Sequence, residues 1–212
     1  MVHSELLSVT QWLSPAFPTG AYAYSHGLER VIASGTIRDT ATMEDWLTGI
    51  LLRGAGWQDA VLLAQGLRAG ADVPALDDLA RALAPSAERL RETLEQGTAL
   101  ARTVGAITGR TLPPRALPVA LAEAAQGLAL SPSVIVALYL QGFAGNLVTI
   151  AVRHVPLGQT EGQALLARLS PVLAALADNA VEATLDDLGG AALAAELAAF
   201  EHETQDIRIF RT

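Results

Sequence analysis

The chain has 212 residues, 51% of them hydrophobic and 17% charged, with a formal net charge of −8, so it fits one large folded domain. The acidic balance argues against nucleic acid as the main partner, because binding to phosphates depends on lysine and arginine displacing counterions. The sequence contains no lysine and no cysteine. This excludes a P-loop lysine, a lysine Schiff base, disulfides and thiolate chemistry.

The first third of the chain predicts short helices separated by a turn rich in proline and glycine. A helix over residues 6–13 would end at Pro15, because the residue before a proline is disfavoured in the helical conformation. The spacing of apolar residues over 24–35 predicts a second helix. A third follows, with Thr40 or Thr42 as its N-cap.

The middle of the chain predicts one long helix followed by a linker. Ser86 is a typical N-cap, and the helix should run from residue 87 to about 108. Leu90 and Leu94 are expected on its apolar face. Residues 109–115, GRTLPPR, have the composition of a linker.

A stretch without charged residues, 124–152, imitates a membrane span. It is interrupted at Pro132, which is expected to begin a helix after Ser131. Gln141 and Asn146 would need hydrogen-bonding partners in lipid. We therefore expect a buried central helix of a soluble protein and no membrane association.

The last third predicts two more helices. Pro171 should break or kink the first of them, and the glycine pair at 189–190 separates the second. Altogether the pattern predicts an all-α protein, a single-domain bundle of about eight to ten helices spanning 1–212. The N-terminal stretch lacks the basic and apolar pattern of a signal peptide, so a cytoplasmic protein is expected.

Motifs for a tight metal site or a cofactor are missing from the sequence. Its four histidines lie far apart, so neither an HxH nor an HExxH pair exists. The prediction is therefore no cofactor and no resident metal. His202, between Glu201 and Glu203 on a tail expected to be flexible, is a weak candidate for transient binding of a divalent ion.

Paired aspartates raise one alternative, an all-helical carboxylate-dependent enzyme such as an isoprenoid-synthase-like protein. Such enzymes hold magnesium on a DDxxD motif. Here Asp77-Asp78 and Asp186-Asp187 both lack the second half of that motif. The stretch around Ser25-His26 offers no nucleophile and base in helical register either. The prediction is therefore no catalytic residues and no enzyme, with the carboxylate enzyme as the alternative.

Two stretches have a composition that suits recognition of another protein. The segment 14–29 concentrates aromatic rings, among them Tyr22 and Tyr24, and tyrosine is enriched in interfaces. In the last residues Ile207, Ile209 and Phe210 alternate with arginines, whereas chain ends are usually polar. Packing against the protein's own core would explain both stretches equally well.

Three separated stretches resemble the urease accessory protein UreF family. They are LSPAFPTGAYAYSHGLE (13–29), GNLVTIAVRHVPLGQTEGQALL (145–166) and HETQDIRIFRT (202–212). The resemblance covers nearly the full chain in order and spacing. It implies an all-helical, non-catalytic protein that dimerises, binds the scaffold protein UreD (also called UreH) and recruits the nickel-carrying GTPase UreG. Together they would insert nickel into apo-urease.

The resemblance also suggests which residues contact partners. Residues 201–212 would form a docking tail that orders on UreD. Within the matching stretches, the expected partner interface comprises Tyr22, Tyr24, His26, Glu29, Gln159, His202, Arg208, Phe210 and Arg211.

Overall fold

The computed structural model describes residues 2–190 and 192–211, and all regular structure within these ranges is helical. The described residues form ten α-helices and two 3-10 turns, Ala21–Ala23 and Leu185–Asp187. The α-helices are α1 (Val2–Trp12), α2 (Leu28–Ala33), α3 (Thr40–Arg53), α4 (Ala55–Gly66), α5 (Val73–Ala82), α6 (Ala87–Thr108), α7 (Leu117–Ala125), α8 (Pro132–His154), α9 (Gln159–Glu182) and α10 (Leu193–Glu203). The prediction of an all-α protein is confirmed.

Side-chain caps and prolines begin several helices where the sequence predicts them. Ser86 Oγ accepts a hydrogen bond from the backbone N–H of Arg89 at 3.1 Å and caps α6. Ser131 is the N-cap of α8, with Pro132 as the first helical residue. The predicted linker 109–115 is irregular. These boundaries depend on local chemistry, which is why the sequence locates them.

Three local predictions were wrong. The N-cap of α3 is Asp39, whose carboxylate accepts the N–H of Thr42 at 2.9 Å. The second helix begins only at Leu28, because His26 and Gly27 adopt left-handed conformations with φ of 59° and 75°. Of the break or kink predicted at Pro171, the break is wrong, because helix α9 continues through that residue. A proline costs one backbone hydrogen bond there, and the packed face of α9 outweighs that loss.

The core forms around α8, which packs along α9 and also against α3 and α4. Leu140, Ala144 and Leu147 of α8 are buried within one large apolar cluster that draws on almost every helix. Helix α7 packs along α6 and against α4. The polar side chain of Asn146 finds partners inside the protein, donating to the carbonyl of Ala21 at 3.1 Å.

Two helices, α8 and α9, are long and apolar enough to cross a membrane by length and composition alone. Half of the most apolar window of α8 is buried inside the protein, and 39% of that of α9. This is weak evidence for a span, because the core helix of a soluble protein meets the same criteria. The two helices pack on each other, and α8 retains one flank at the surface, where Val134 is 39% exposed.

Candidate functional site

The first half of α6 buries charged side chains where apolar ones were expected. Glu88, Arg89 and Glu92 are each less than 10% exposed, whereas Leu90 and Leu94 are only partly buried. Arg89 forms a short ion pair with Glu92 along the helix. Charged residues are rarely buried unless they are paired, so this face of α6 has a specific set of partners.

His202 is the fully buried partner of two carboxylates that come from distant parts of the chain. Its Nδ1 lies 2.7 Å from Oε2 of Glu88 on α6, and its Nε2 lies 3.2 Å from Oε2 of Glu29 on α2. Each ring nitrogen of His202 therefore lies within hydrogen-bonding distance of one carboxylate. We call Glu29, Glu88, Arg89, Glu92 and His202 the buried polar cluster.

The C-terminal segment lies along this cluster. Arg208 donates to Glu88 at 2.6 Å. The backbone N–H groups of Ile209 and Phe210 both donate to Glu29 at 2.9 Å. The Phe210 ring is buried and meets the ring of His154 edge-on, with centroids 5.3 Å apart. The tail is therefore folded back on its own protein.

The end of the tail also contacts the aromatic stretch near the N-terminus. The backbone N–H of Arg211 donates to the carbonyl of Ala23 at 2.8 Å, and its guanidinium donates to Glu95 at 2.9 Å. The hydroxyl of Tyr24 forms a short hydrogen bond with the same Glu95. Burial and the hydrogen bond to Glu95 together raise the pKa of Tyr24 to about 12. The two stretches that suggested recognition thus form one structural unit.

Several large apolar side chains beside this unit face outward. Ile207 is 81% exposed and Ile209 is 68% exposed. On α10, Leu193, Leu197 and Phe200 follow a spacing of four and three residues, which places them on one helix face, and they are also exposed. We call these five residues the C-terminal apolar surface.

A cavity of about 110 Å³ lies against α6. Its walls include Tyr22 and His26 from the aromatic stretch, Arg89 from α6, Asp59 from α4 and Tyr139 from α8. The lining is mainly apolar, with these polar groups among it. The pocket lies between the N-terminal stretch and the core, and Arg89 and Glu92 of the buried polar cluster form part of its wall.

Burial and pairing shift the ionisation of groups in this wall. Burial lowers the pKa of His26, whose ring packs edge-on against Phe143 at 5.1 Å. Burial alone would raise the pKa of Glu92, but Arg89 and His26 outweigh it and bring that pKa down to about 2. Glu92 is therefore ionised at neutral pH, while His26 favours its neutral form.

Asp59 makes the stability of the protein depend on pH. Burial raises its pKa to about 6 even though Tyr139 donates a hydrogen bond to it at 2.6 Å. Between about pH 4 and pH 6 the folded chain holds a proton that the unfolded chain has lost, so the free energy of unfolding falls as pH rises. Asp59→Asn should therefore raise the free energy of unfolding at pH 7.5 by about 1–3 kcal/mol.

Urea denaturation across pH 4 to 7.5 measures this effect. The variant should lose most of its advantage at pH 4, where the wild-type carboxyl is protonated in the folded protein. Glu92 contributes with the opposite sign, and only below about pH 4.5, so it does not obscure the comparison. An equal gain at both pH values would contradict the role given to the Asp59 charge.

The residues proposed for a partner interface fall into distinct places. Tyr22 is 70% exposed, whereas Tyr24 and His26 are buried and can only support a surface. Gln159 is exposed at the first position of α9. The structure brings the remaining five together around the C-terminal segment: Glu29, His202, Arg208, Phe210 and Arg211.

The carboxylates considered for metal or phosphate chemistry have structural partners. Asp77 accepts from the backbone N–H of Ala116 at 2.6 Å and from Arg81 at 2.9 Å. Asp187 caps a turn through Thr184. Within residues 2–190 and 192–211 no three His, Asp or Glu side chains are grouped to hold a metal ion.

The expected surroundings of His202 were also wrong in detail. The histidine does not belong to a flexible tail but lies in the last turn of α10, where it is fully buried. Its sequence neighbours turn away from it: Glu201 pairs with Arg30 at 2.6 Å, and Glu203 accepts the backbone N–H of Glu88 at 3.1 Å. Both ring nitrogens of His202 already face carboxylates of the same chain, so these contacts hold the structure together.

Sequence reasoning missed the α6 half of the site. Glu88, Glu92 and Glu95 are spaced by four and three residues, so they share a helix face. This spacing was visible in the sequence, but a charged stripe usually marks a solvated face. The partners that Glu88 and Glu95 have in the C-terminal part of the chain are more than a hundred residues away, and no local pattern shows them.

Comparisons with known proteins agree with the resemblance noted above. The UreF family model matches residues 37–170. A urease accessory protein UreF of Cereibacter sphaeroides is 61% identical over 207 residues, which cover 98% of each chain. The UreF of Jannaschia sp. is 52% identical over 98% of this chain and 94% of its own length, and that of Paracoccus denitrificans is 52% identical over 97% and 95%. With the family model matching more than half of the chain and relatives covering nearly all of it, the chain belongs to the UreF family of urease accessory proteins.

Proposed function

We propose that this protein is a non-catalytic scaffold in the maturation of urease. It binds UreD (UreH) and the GTPase UreG in the cytoplasm, as a homodimer within the complex, and the assembly delivers nickel into apo-urease. Nickel is cargo in this account, and the chain itself needs no cofactor. Membership of the UreF family and the exposed C-terminal apolar surface support the proposal.

The C-terminal apolar surface is the observation that carries the scaffold role. Its five side chains, 50–81% exposed, all lie within the last twenty residues of the chain. Large exposed apolar side chains concentrated in one part of a chain are candidates for protein association. Phe200 and the isoleucines are large enough to fill pockets on a partner. We assign this surface to UreD.

The aromatic stretch completes the proposed interface. Tyr22 is exposed and available to a partner, while Tyr24 and His26 hold the backbone beneath it. The hydrogen bond from Arg211 to Ala23 ties this stretch to the tail. A partner that covers the tail would therefore meet Tyr22 in a fixed position. Gln159, exposed on α9, is proposed for a separate contact.

Activation of apo-urease in a defined mixture tests the proposed function. Apo-urease, UreD, UreG, Ni²⁺, bicarbonate and GTP are combined with and without this chain, and urease activity is followed over time. The proposal predicts that activity develops quickly only when the chain is present. Equal activation in its absence would contradict the scaffold role.

Charges placed on the tail should weaken binding of UreD. The double change Ile207→Asp and Ile209→Asp buries two carboxylates in the proposed interface, so affinity should fall by about a hundredfold. Both side chains are exposed in the free protein, so its melting temperature should change little. Biolayer interferometry with immobilised UreD measures the affinity.

Ile107 on α6 offers a matched control for this test. It is 55% exposed and lies outside the C-terminal apolar surface. Ile107→Asp should leave the affinity for UreD unchanged. If the tail variant binds UreD as tightly as the unaltered chain, the C-terminal apolar surface is not the docking site.

A further inference from the structure

The cavity against α6 has a carboxylate in its wall whose hydrogen-bonding capacity is only partly used. Of the two buried carboxylates there, Glu92 pairs with Arg89 and accepts from Gln96 at 3.2 Å. Asp59 accepts one hydrogen bond from the residues that the structure describes, from Tyr139 at 2.6 Å. An ionised carboxylate can accept about four hydrogen bonds. Asp59 therefore has acceptor capacity left for a further donor.

Arg89 adds a buried donor without an acceptor to the same wall. Its side chain is only 9% exposed, and no described residue accepts a hydrogen bond from its Nε–H. The positive charge of Arg89 lowers the pKa of Asp59 against the effect of burial, so the two groups act on each other electrostatically. A buried N–H group without an acceptor is unfavourable, and a bound molecule with a suitable oxygen removes that cost.

The cavity has room for a small molecule and a way in. Its volume is about 110 Å³. A cavity of about 150 Å³ holds benzene, so this one suits a molecule of roughly four or five non-hydrogen atoms. The wall runs from the buried side chain of Arg89 to Tyr22, which is 70% exposed. A ligand can therefore enter beside Tyr22.

One residue of the wall has an unusual backbone conformation. His26 has a φ of 59° and is the one non-glycine residue with positive φ in the ranges 2–190 and 192–211. Non-glycine residues in this conformation are uncommon and cluster at binding and active sites. The His26 ring packs edge-on against Phe143, and both side chains line the cavity. The backbone thus marks the same place as the unused polar groups.

We propose that this cavity is a binding site for a small neutral molecule of the primary carboxamide class. The amino group of the ligand donates to Asp59, and its carbonyl oxygen accepts from Nε of Arg89. Leu100 and Leu147, which also line the cavity, contact its short alkyl group. The site goes beyond the proposed function and does not involve the C-terminal apolar surface.

Charge distinguishes a carboxamide from ions of the same shape. Acetate has no N–H to donate, and it adds a negative charge beside Asp59 and Glu92. Acetamidinium has no acceptor for the Nε–H of Arg89, and it adds a second positive charge beside that guanidinium. Acetamide provides one acceptor and two donors without a net charge. It alone of the three satisfies both Asp59 and Arg89.

Titration of ¹⁵N-labelled protein with acetamide at pH 7.5, followed by NMR, tests the proposal. The chain has three tryptophans, of which Trp12 lines the cavity while Trp46 and Trp57 do not. The indole N–H signal of Trp12 should shift with a Kd of about 1–10 mM, a range suited to a ligand of four non-hydrogen atoms. The other two indole signals should stay in place. Acetate and acetamidinium should bind at least about tenfold more weakly.

Asp59→Asn tests the acceptor directly. Asparagine keeps one oxygen for Tyr139 and replaces the other acceptor with a donor, so affinity for acetamide should fall at least about tenfold. The variant should fold well, because it is expected to be more stable than the unaltered chain at pH 7.5. Asp78→Asn is the matched control. Asp78 is exposed on α5 and lies outside the cavity, so its replacement should leave the affinity unchanged.

Each result decides for or against the site. If acetamide at about 100 mM does not move the Trp12 signal, the cavity holds water alone and the proposal is overturned. Binding of acetate or acetamidinium as tight as that of acetamide would overturn the assigned ligand class. Unchanged affinity in Asp59→Asn would do the same for the role of Asp59. Because UreD takes no part in these titrations, their failure would leave the proposed function untouched.

Discussion

Leucine in place of His202 is expected to lower the free energy of unfolding by about 3–5 kcal/mol. The imidazole is fully buried between Glu29 and Glu88, which are themselves almost inaccessible. Removing it takes away the group that joins the two buried carboxylates, and only Arg208 on Glu88 and two backbone N–H groups on Glu29 still bond them in the part of the chain that the structure describes. Guanidinium chloride denaturation followed by circular dichroism at 222 nm measures the loss.

An adjacent residue provides the control for this prediction. Glu201 pairs with Arg30, but its side chain is 58% exposed. Glu201→Gln should therefore change the free energy of unfolding by less than about 1 kcal/mol. If His202→Leu proves as mild as this control, the buried polar cluster does not hold the C-terminal segment in place.

Alanine in place of Gly97 is expected to lower the free energy of unfolding by about 3 kcal/mol or more. Gly97 lies on the buried face of α6, where the chain leading into α7 crosses it. An added Cβ would lie 2.7 Å from the backbone nitrogen of Leu117 and 2.8 Å from the carbonyl carbon of Ala116, and closer still to the carbonyl oxygen of Arg115. Backbone atoms cannot move aside as side chains do, so α6 and α7 would have to separate.

A glycine-to-alanine change on an open helix face should raise the free energy of unfolding instead of lowering it. An added Cβ at Gly49 of α3 meets no atom within 4 Å. Gly49→Ala should therefore raise the free energy of unfolding by about 0.5–1 kcal/mol, because alanine favours the helix. Thermal melts of both variants test the pair. Similar melting temperatures for the two would contradict the close packing of α6 on α7.

The helices could be predicted from the sequence because their boundaries are local. Ser86 and Ser131 begin helices through hydrogen bonds with residues three or four positions away, and Pro132 follows Ser131 with a φ that already suits a helix. The predictions were wrong where two neighbouring residues could both cap a helix, or where packing between helices decides how far a helix runs. Asp39 stands next to Thr40 and is the stronger cap, and α9 continues past Pro171 because its apolar face is packed on α8.

The sequence identified stretches that contribute residues to the site, but it did not predict which of those residues contact one another. Glu29 and His202 were both picked out, yet their contact joins positions 173 residues apart. The opposing carboxylate, Glu88, was missed because a charged residue on a long helix ordinarily faces water. Resemblance to a family finds such residues one by one, whereas their pairing follows from the way α2, α6 and α10 pack.

The tail shows how one pattern supported two readings. Alternation of isoleucine and phenylalanine with arginine suggested either docking to a partner or packing on the protein itself. In the structure Phe210 and Arg208 pack against the protein itself. Ile207 and Ile209 remain outside, so self-packing and docking use opposite faces of one segment.

Co-expression of this chain with UreD and UreG, followed by size-exclusion chromatography with light scattering, tests the scaffold role most directly. The account predicts a single complex that contains all three proteins, with a mass that fits two copies of each. Loss of UreD from this complex in the Ile207→Asp, Ile209→Asp variant would place the docking surface. Separate elution of well-folded components would contradict the central claim that this protein assembles the nickel-delivery complex.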